Sequence, residues 1–177
     1  MNASISLHIG LVLMSCAFIL QLIGLVSPFW ISVDTSIGQS TAGLWKSCGS
    51  DASRTICFDS ALYLSDDSWL KAVRGLSIFG FISLVVAAVM SGLKIYLFKD
   101  QEPIVLVTLG TGFIGVVAIL ISIAVYAAKT NDIYAGTLFT YNFAFAFSIL
   151  GMLTGFGACL ILLLVVLNEK QLIAVFK

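Results

Sequence analysis

The groups in this 177-residue chain that could do covalent, metal or proton-transfer chemistry are four cysteines, one histidine and nine acidic side chains. Cys48 and Cys57 lie in a polar stretch rich in Gly, Ser and Thr, WISVDTSIGQSTAGLWKSCGSDASRTIC, which begins where a long apolar run ends. A cysteine pair with eight intervening residues in such a loop suits a disulfide in an oxidising compartment. Closing a loop that short contributes about 2–3 kcal/mol. Cys16 and Cys159 fall inside apolar runs and read as inert packing residues. Zinc needs more ligands than this pair, and His8 sits at the end of an apolar run. Asp66 and Asp67 are adjacent carboxylates, but their setting, SDDSWLKAV, reads as a solvated helix N-terminus rather than an acid–base pair. The chain has no HExxH, GxSxG or phosphate-loop pattern. No enzyme activity, cofactor or metal is expected.

The elements that must position these residues are set by composition. Hydrophobic residues make up 60% of the chain and charged residues 10%, against roughly 25% charged in soluble domains. Mean hydropathy is +1.09. Such a chain is an integral membrane protein. Net charge is zero and no basic, aromatic-interleaved stretch suggests nucleic acid. There is no low-complexity linker, so residues 1–177 read as one domain.

Four apolar runs are long enough to cross a bilayer core of about 30 Å; they are expected at about 7–29, 75–98, 104–128 and 142–167. No Lys or Arg precedes the first, which reads as a retained span rather than a signal peptide. Pro28 should stop it. Gln21, inside that span, is expected to hydrogen-bond a neighbouring helix. Lys94 lies near the end of the second span and can snorkel. No Asp, Glu or Arg lies mid-span, which argues against a pump or transporter. Gly151 and Gly155 form a GxxxG in the fourth span, a face for close helix packing or for docking another protein.

The large loop, about 30–74, should hold short strands at residues 30–33, 44–46 and 55–58, then a short amphipathic helix capped by Ser65 or Asp66 that leads into the second span. The small loop, about 129–141, contains YAGTLFTY and suits one more strand. Both loops fall on one side and both termini on the other. Basic residues divide four to the terminal side and five to the loop side, so the positive-inside rule does not orient the chain. The cysteine pair does: it places the large loop outside the cell and the termini in the cytosol, at the plasma membrane. Asn2 begins a sequon that this orientation leaves unmodified. All three Trp and four Tyr, including Tyr126, cluster toward the loop side, as an interfacial belt would. The large loop carries five acids and four bases. Asp59, Asp66 and Asp67 read as a solvated rim; in a paracellular pore they would favour cations.

Trp30, then Gly43-Leu44-Trp45, Cys48 and Cys57, match the W…GLWxxC…C signature of the claudin, peripheral myelin protein and epithelial membrane protein superfamily, and the four-span layout resembles it too. The segment FDSALYLSDDSWLKAVRGL is similar to the claudin stretch that ends in an Arg at the second span, here Arg74. The resemblance implies a mainly α membrane protein: a left-handed four-helix bundle bearing an antiparallel extracellular sheet, with most strands from the first loop and one from the second. It implies that Trp30, Leu44 and Trp45 anchor the sheet and that Arg74 sits beneath it. The end of the sequence, Val175-Phe176-Lys177, departs from the hydrophobic PDZ-binding terminus of many claudins and argues against such scaffold binding. By this resemblance the chain is a structural protein of cell–cell adhesion or a paracellular barrier, located at cell junctions such as tight junctions. Its partners would be the lipid bilayer and like molecules beside it or across two cells. The alternatives are an auxiliary subunit of an ion channel or receptor, docked on the channel's helices, and a myelin-type membrane organiser.

Overall fold

The computed structural model describes residues 3–35, 38–51, 54–59, 68–98, 103–136 and 138–175. Four long helices and five strands follow one another as α1 (Ala3–Val26), β1 (Ile31–Thr35), β2 (Gly38–Ala42), β3 (Lys46–Asp51), β4 (Arg54–Asp59), α2 (Ser68–Tyr96), α3 (Pro103–Ile133), β5 (Phe139–Tyr141) and α4 (Phe143–Val175). All four helices are long and apolar enough to cross a membrane.

The bundle is built inside out relative to a soluble one. Its outer surface carries Ile19, Phe79, Ile82, Val89, Phe113, Ile114, Leu153 and Leu164, all exposed. Its interior mixes Met14, Leu84, Ile119 and Leu162 with small polar residues such as Ser77, Thr108, Ser122 and Ser148. Lipid is as apolar as leucine, so burying leucine does not hold membrane helices together; close packing and interhelical hydrogen bonds do. Both devices are present. A Cβ on Gly80 would lie 2.5 Å from Ile119 Cγ1 and 3.0 Å from the Gly115 carbonyl, so α2 and α3 cross almost backbone to backbone. One turn nearer the sheet, Ser77 and Ser122 join their hydroxyls at 2.6 Å. Ser122 gives its proton to the Val73 carbonyl at 3.1 Å, so Ser77 is the donor between them.

Gly151 and Gly155 are both buried. A Cβ at Gly151 would meet the Ala17 carbonyl at 3.0 Å, and one at Gly155 would meet Val116 Cγ2 at 3.1 Å. This GxxxG therefore packs α4 on α1 and α3 within the bundle, and leaves no room there for another protein. Gln21 departs from expectation. It is 1% exposed on α1, yet neither amide atom has a hydrogen-bond partner among the described residues. Lys94 departs too: it is 7% exposed rather than reaching outward.

The strands form one antiparallel sheet in the order β4-β3-β2-β1-β5. β1 is paired on one side with β2, Ile31 opposite Ala42, and on the other with β5, Ile31 opposite Tyr141. The two loops are thereby joined into one layer. Three local expectations change. Leu44 and Trp45 form the tip of the β2–β3 hairpin rather than a strand, closed by the Gly43 N–H donating to the Lys46 carbonyl at 2.9 Å. Residues 129–133, expected in the small loop, continue α3. α2 begins at Ser68 and runs unbroken to Tyr96, so the amphipathic segment and the span are one helix; the capping residues Ser65 and Asp66 lie outside the described residues.

Candidate functional site

The seat of the sheet is assembled from the end of α1 outward. The last carbonyls of any helix lack intrahelical partners. In α1 the Ser27 N–H takes the Ile23 carbonyl at 3.2 Å, and two indoles take the next two. Trp30 Nε1 donates to the Gly24 carbonyl at 2.7 Å and Trp45 Nε1 to the Leu25 carbonyl at 2.8 Å. One tryptophan comes two residues after Pro28; the other comes from the hairpin tip. The helix end is thus capped by the sheet that it carries.

Trp30 is completely buried. Its ring meets Tyr126 of α3 edge-on at 4.6 Å and Phe145 of α4 at 5.6 Å. Such aromatic pairs add about 0.5–1.5 kcal/mol beyond area burial. Tyr126 was expected in an interfacial belt, but it is buried in this cluster. Leu44 is buried beside it, and its carbonyl accepts a 2.6 Å bond from Arg74 Nε. The Arg74 guanidinium lies 5.2 Å from the Trp45 ring centroid, within cation–π range. Gly43 completes the seat. A Cβ there would fall 2.5 Å from both Pro28 Cα and the Ser27 carbonyl, so only glycine lets the hairpin lie on the chain leaving α1. Trp30, Gly43, Leu44, Trp45 and Arg74 therefore converge on one junction.

Asn142 belongs to the same junction and was not singled out in the sequence. Its Nδ2 donates to Ser32 Oγ at 2.8 Å, its backbone N–H to the Trp30 carbonyl at 2.8 Å, and its Oδ1 accepts the Phe143 N–H at 2.8 Å. It caps α4 while holding β1. An Asn immediately before an apolar run was the available signal.

Farther out, Cys48 and Cys57 face each other in register on β3 and β4 and are joined by a disulfide. β4 is exposed along its whole length. Ile56 and Phe58 on it are 52% and 49% exposed, and Leu138, before β5, is 91% exposed. Asp59 ends β4 opposite Lys46 and lines, with Val33, Ser40, Cys48, Phe58 and Tyr134, a cavity of about 340 Å³ against the sheet. Asp66 and Asp67 lie outside the described residues. Among the described residues, no three His, Cys, Asp or Glu side chains come close enough together to hold a metal ion.

Four membrane-length helices bearing a small antiparallel sheet define a multi-pass, four-span membrane protein. Residues 3–167 match the model of the PMP-22/EMP/MP20/Claudin family, and the chain belongs to that family. No curated protein matches it.

Proposed function

We propose that this protein is a claudin-like structural protein of the plasma membrane that mediates cell–cell adhesion or forms a paracellular barrier. Its termini face the cytosol and its sheet faces the extracellular space. The carrying observation is the pairing of a fixed seat with an apolar outer rim: Ile56 and Phe58 stand exposed on the edge strand β4, and Leu138 just before the opposite edge strand β5, of a sheet whose base is locked to the bundle. A monomer gains nothing from exposing these side chains to water; a contact with a like molecule beside it or across two cells would cover them. The disulfide agrees with an oxidising exterior. Asp59, on the wall of the sheet cavity, is the described acid placed to favour cations if the barrier is permeable. Trp30, Gly43, Leu44, Trp45 and Arg74 act as scaffold, presenting that rim.

The test is expression of the tagged protein in cells that lack junctions, imaged at contacts and by freeze-fracture. Enrichment at contacts with intramembrane strands is expected. Uniform surface staining without strands, together with stoichiometric co-purification of a large channel, would replace this reading with that of an auxiliary subunit.

A further inference from the structure

The four helices are described throughout the depth of the bundle. Several hydroxyls in it are satisfied. Ser77 and Ser122 join α2 to α3 directly at 2.6 Å, and Thr108, Thr111 and Thr154 each donate to the carbonyl one turn back at 2.8 Å. The seam between α1 and α4 differs. Gln21 on α1 is 1% exposed and Ser148 on α4 is fully buried. Three polar atoms here, Gln21 Oε1, Gln21 Nε2 and Ser148 Oγ, are buried without a hydrogen-bond partner among the described residues. They lie on the same stretch of the seam. A Cβ on Gly24, one turn from Gln21, would run into Ser148 Oγ, and a Cβ on Gly151, one turn from Ser148, would lie 3.1 Å from the Gln21 backbone nitrogen.

An orphaned amide is costly where water is excluded. The helix backbone cannot relieve it, because mid-helix N–H groups are already bonded. Closing the seam cannot relieve it either. Cβ atoms on Gly151 and Gly24 would meet the Ala17 and Ala144 carbonyls at 3.0 Å, so the two backbones are already at contact. Only a bridging molecule can join the two side chains.

We propose that one water molecule is bound at this seam, bridging Gln21 to Ser148. A primary amide presents its C=O and one N–H side by side, so a single water donates to Oε1 and accepts from Nε2. Its second proton goes to Ser148 Oγ. Three bonds is the usual complement of a buried water, and these three satisfy every orphaned atom of the seam. An ion does not fit the site, because no Asp, Glu, Lys or Arg lies mid-span to neutralise it. The water ties α1 to α4 one turn below Gly24, whose carbonyl takes the Trp30 indole. It is the counterpart of the direct Ser77–Ser122 bond between α2 and α3, and it is independent of what the sheet contacts.

The experiment is NMR of the full chain in detergent, labelled with ¹⁵N-glutamine. The chain has four glutamines, so four side-chain NH₂ pairs are read. The Gln21 pair is assigned by its loss in Gln21→Met or, should that variant fail to fold, by elimination after Gln39, Gln101 and Gln171 are replaced by Glu. A nuclear Overhauser cross-peak between the Gln21 Nε2 protons and water is expected, with the sign of a long-lived contact. Ser148→Ala should keep that cross-peak, because two of the water's bonds remain, and should shift the Nε2 proton resonance, because the third is gone. No cross-peak in the wild-type chain overturns the proposal. Loss of the cross-peak in Ser148→Ala means that a directly bonded hydroxyl relayed it, and overturns the water. An unmoved resonance in Ser148→Ala overturns the bridge.

Discussion

At β1 and the tip of the β2–β3 hairpin, the sheet is held by two buried or half-buried indoles, an arginine and a glycine that lets backbone touch backbone. At the far edge, three strands from β1, β4 is joined to β3 by a backbone ladder, the disulfide and a Ser50–Thr55 side-chain hydrogen bond, with every side chain of β4 exposed. The inner region draws its stability from the bundle. The outer one carries its own. A side chain on β4 can therefore change without disturbing the seat, whereas a change at the seat unfixes everything beyond it. The residues that fix the sheet and the exposed apolar side chains of β4 thus sit on separate strands.

The largest break in this contrast should come from Trp30→Ala, which empties the aromatic cluster and uncaps Gly24; a loss of about 3–5 kcal/mol is expected, read as a collapse of the thermal melt in detergent and retention inside the cell. Replacing Cys48 and Cys57 together by Ser should cost about 2–3 kcal/mol but in a different place. Proteolysis should begin in the β3–β4 hairpin while the emission of buried Trp30 stays unchanged; loss of both at once would show that the two regions are not separable. Arg74→Lys removes the Nε donor to Leu44 and should cost about 1.5 kcal/mol, seen as a lower melting temperature and a shift in Trp45 fluorescence. The smallest stability effect, within about 0.5 kcal/mol, belongs to Ile56→Ser with Phe58→Ser. That pair should nevertheless abolish enrichment at cell contacts, and a melt shifted as far as in the cysteine variant would mean that these side chains support the fold instead.

Much of this was legible in the chain because membranes and tryptophans write strongly. Four apolar runs, one cysteine pair in a polar loop, and Trp30 with Gly43-Leu44-Trp45 pointed to the bundle, the disulfide and the seat. Misread features share a cause: tertiary partners overrode local pattern. Leu44 and Trp45 have strand-like side chains, yet they turn down at a hairpin tip because the carbonyls at the end of α1 and the core beneath reward it. GQSTA has little strand character of its own and pairs because β1 and β3 flank it. Residues 129–133 are polar enough to read as loop, but Lys129 and Asp132 sit one turn apart on a helix that outlasts its apolar stretch. Tyr126 looked interfacial because its hydroxyl suits a wet boundary; the cluster around Trp30 took its ring. Gln21 was expected to find a partner, and packing around Gly151 leaves its amide without one among the described residues.

The chain passes from α1 to β1 through only residues 27–30, of which Ser27, Phe29 and Trp30 are held by backbone hydrogen bonds, and from β5 to α4 through Asn142 alone. There is no hinge at either crossing. The sheet is then a lever welded to α1 and α4, and β4 lies three strand spacings from β1, about 14 Å at about 4.8 Å each. A thicker or thinner bilayer that tilts these helices by about 10° must carry the β4 edge through about 2.5 Å, enough to make or part a side-chain contact. Membrane thickness would reach the outer rim mechanically, with no change of fold.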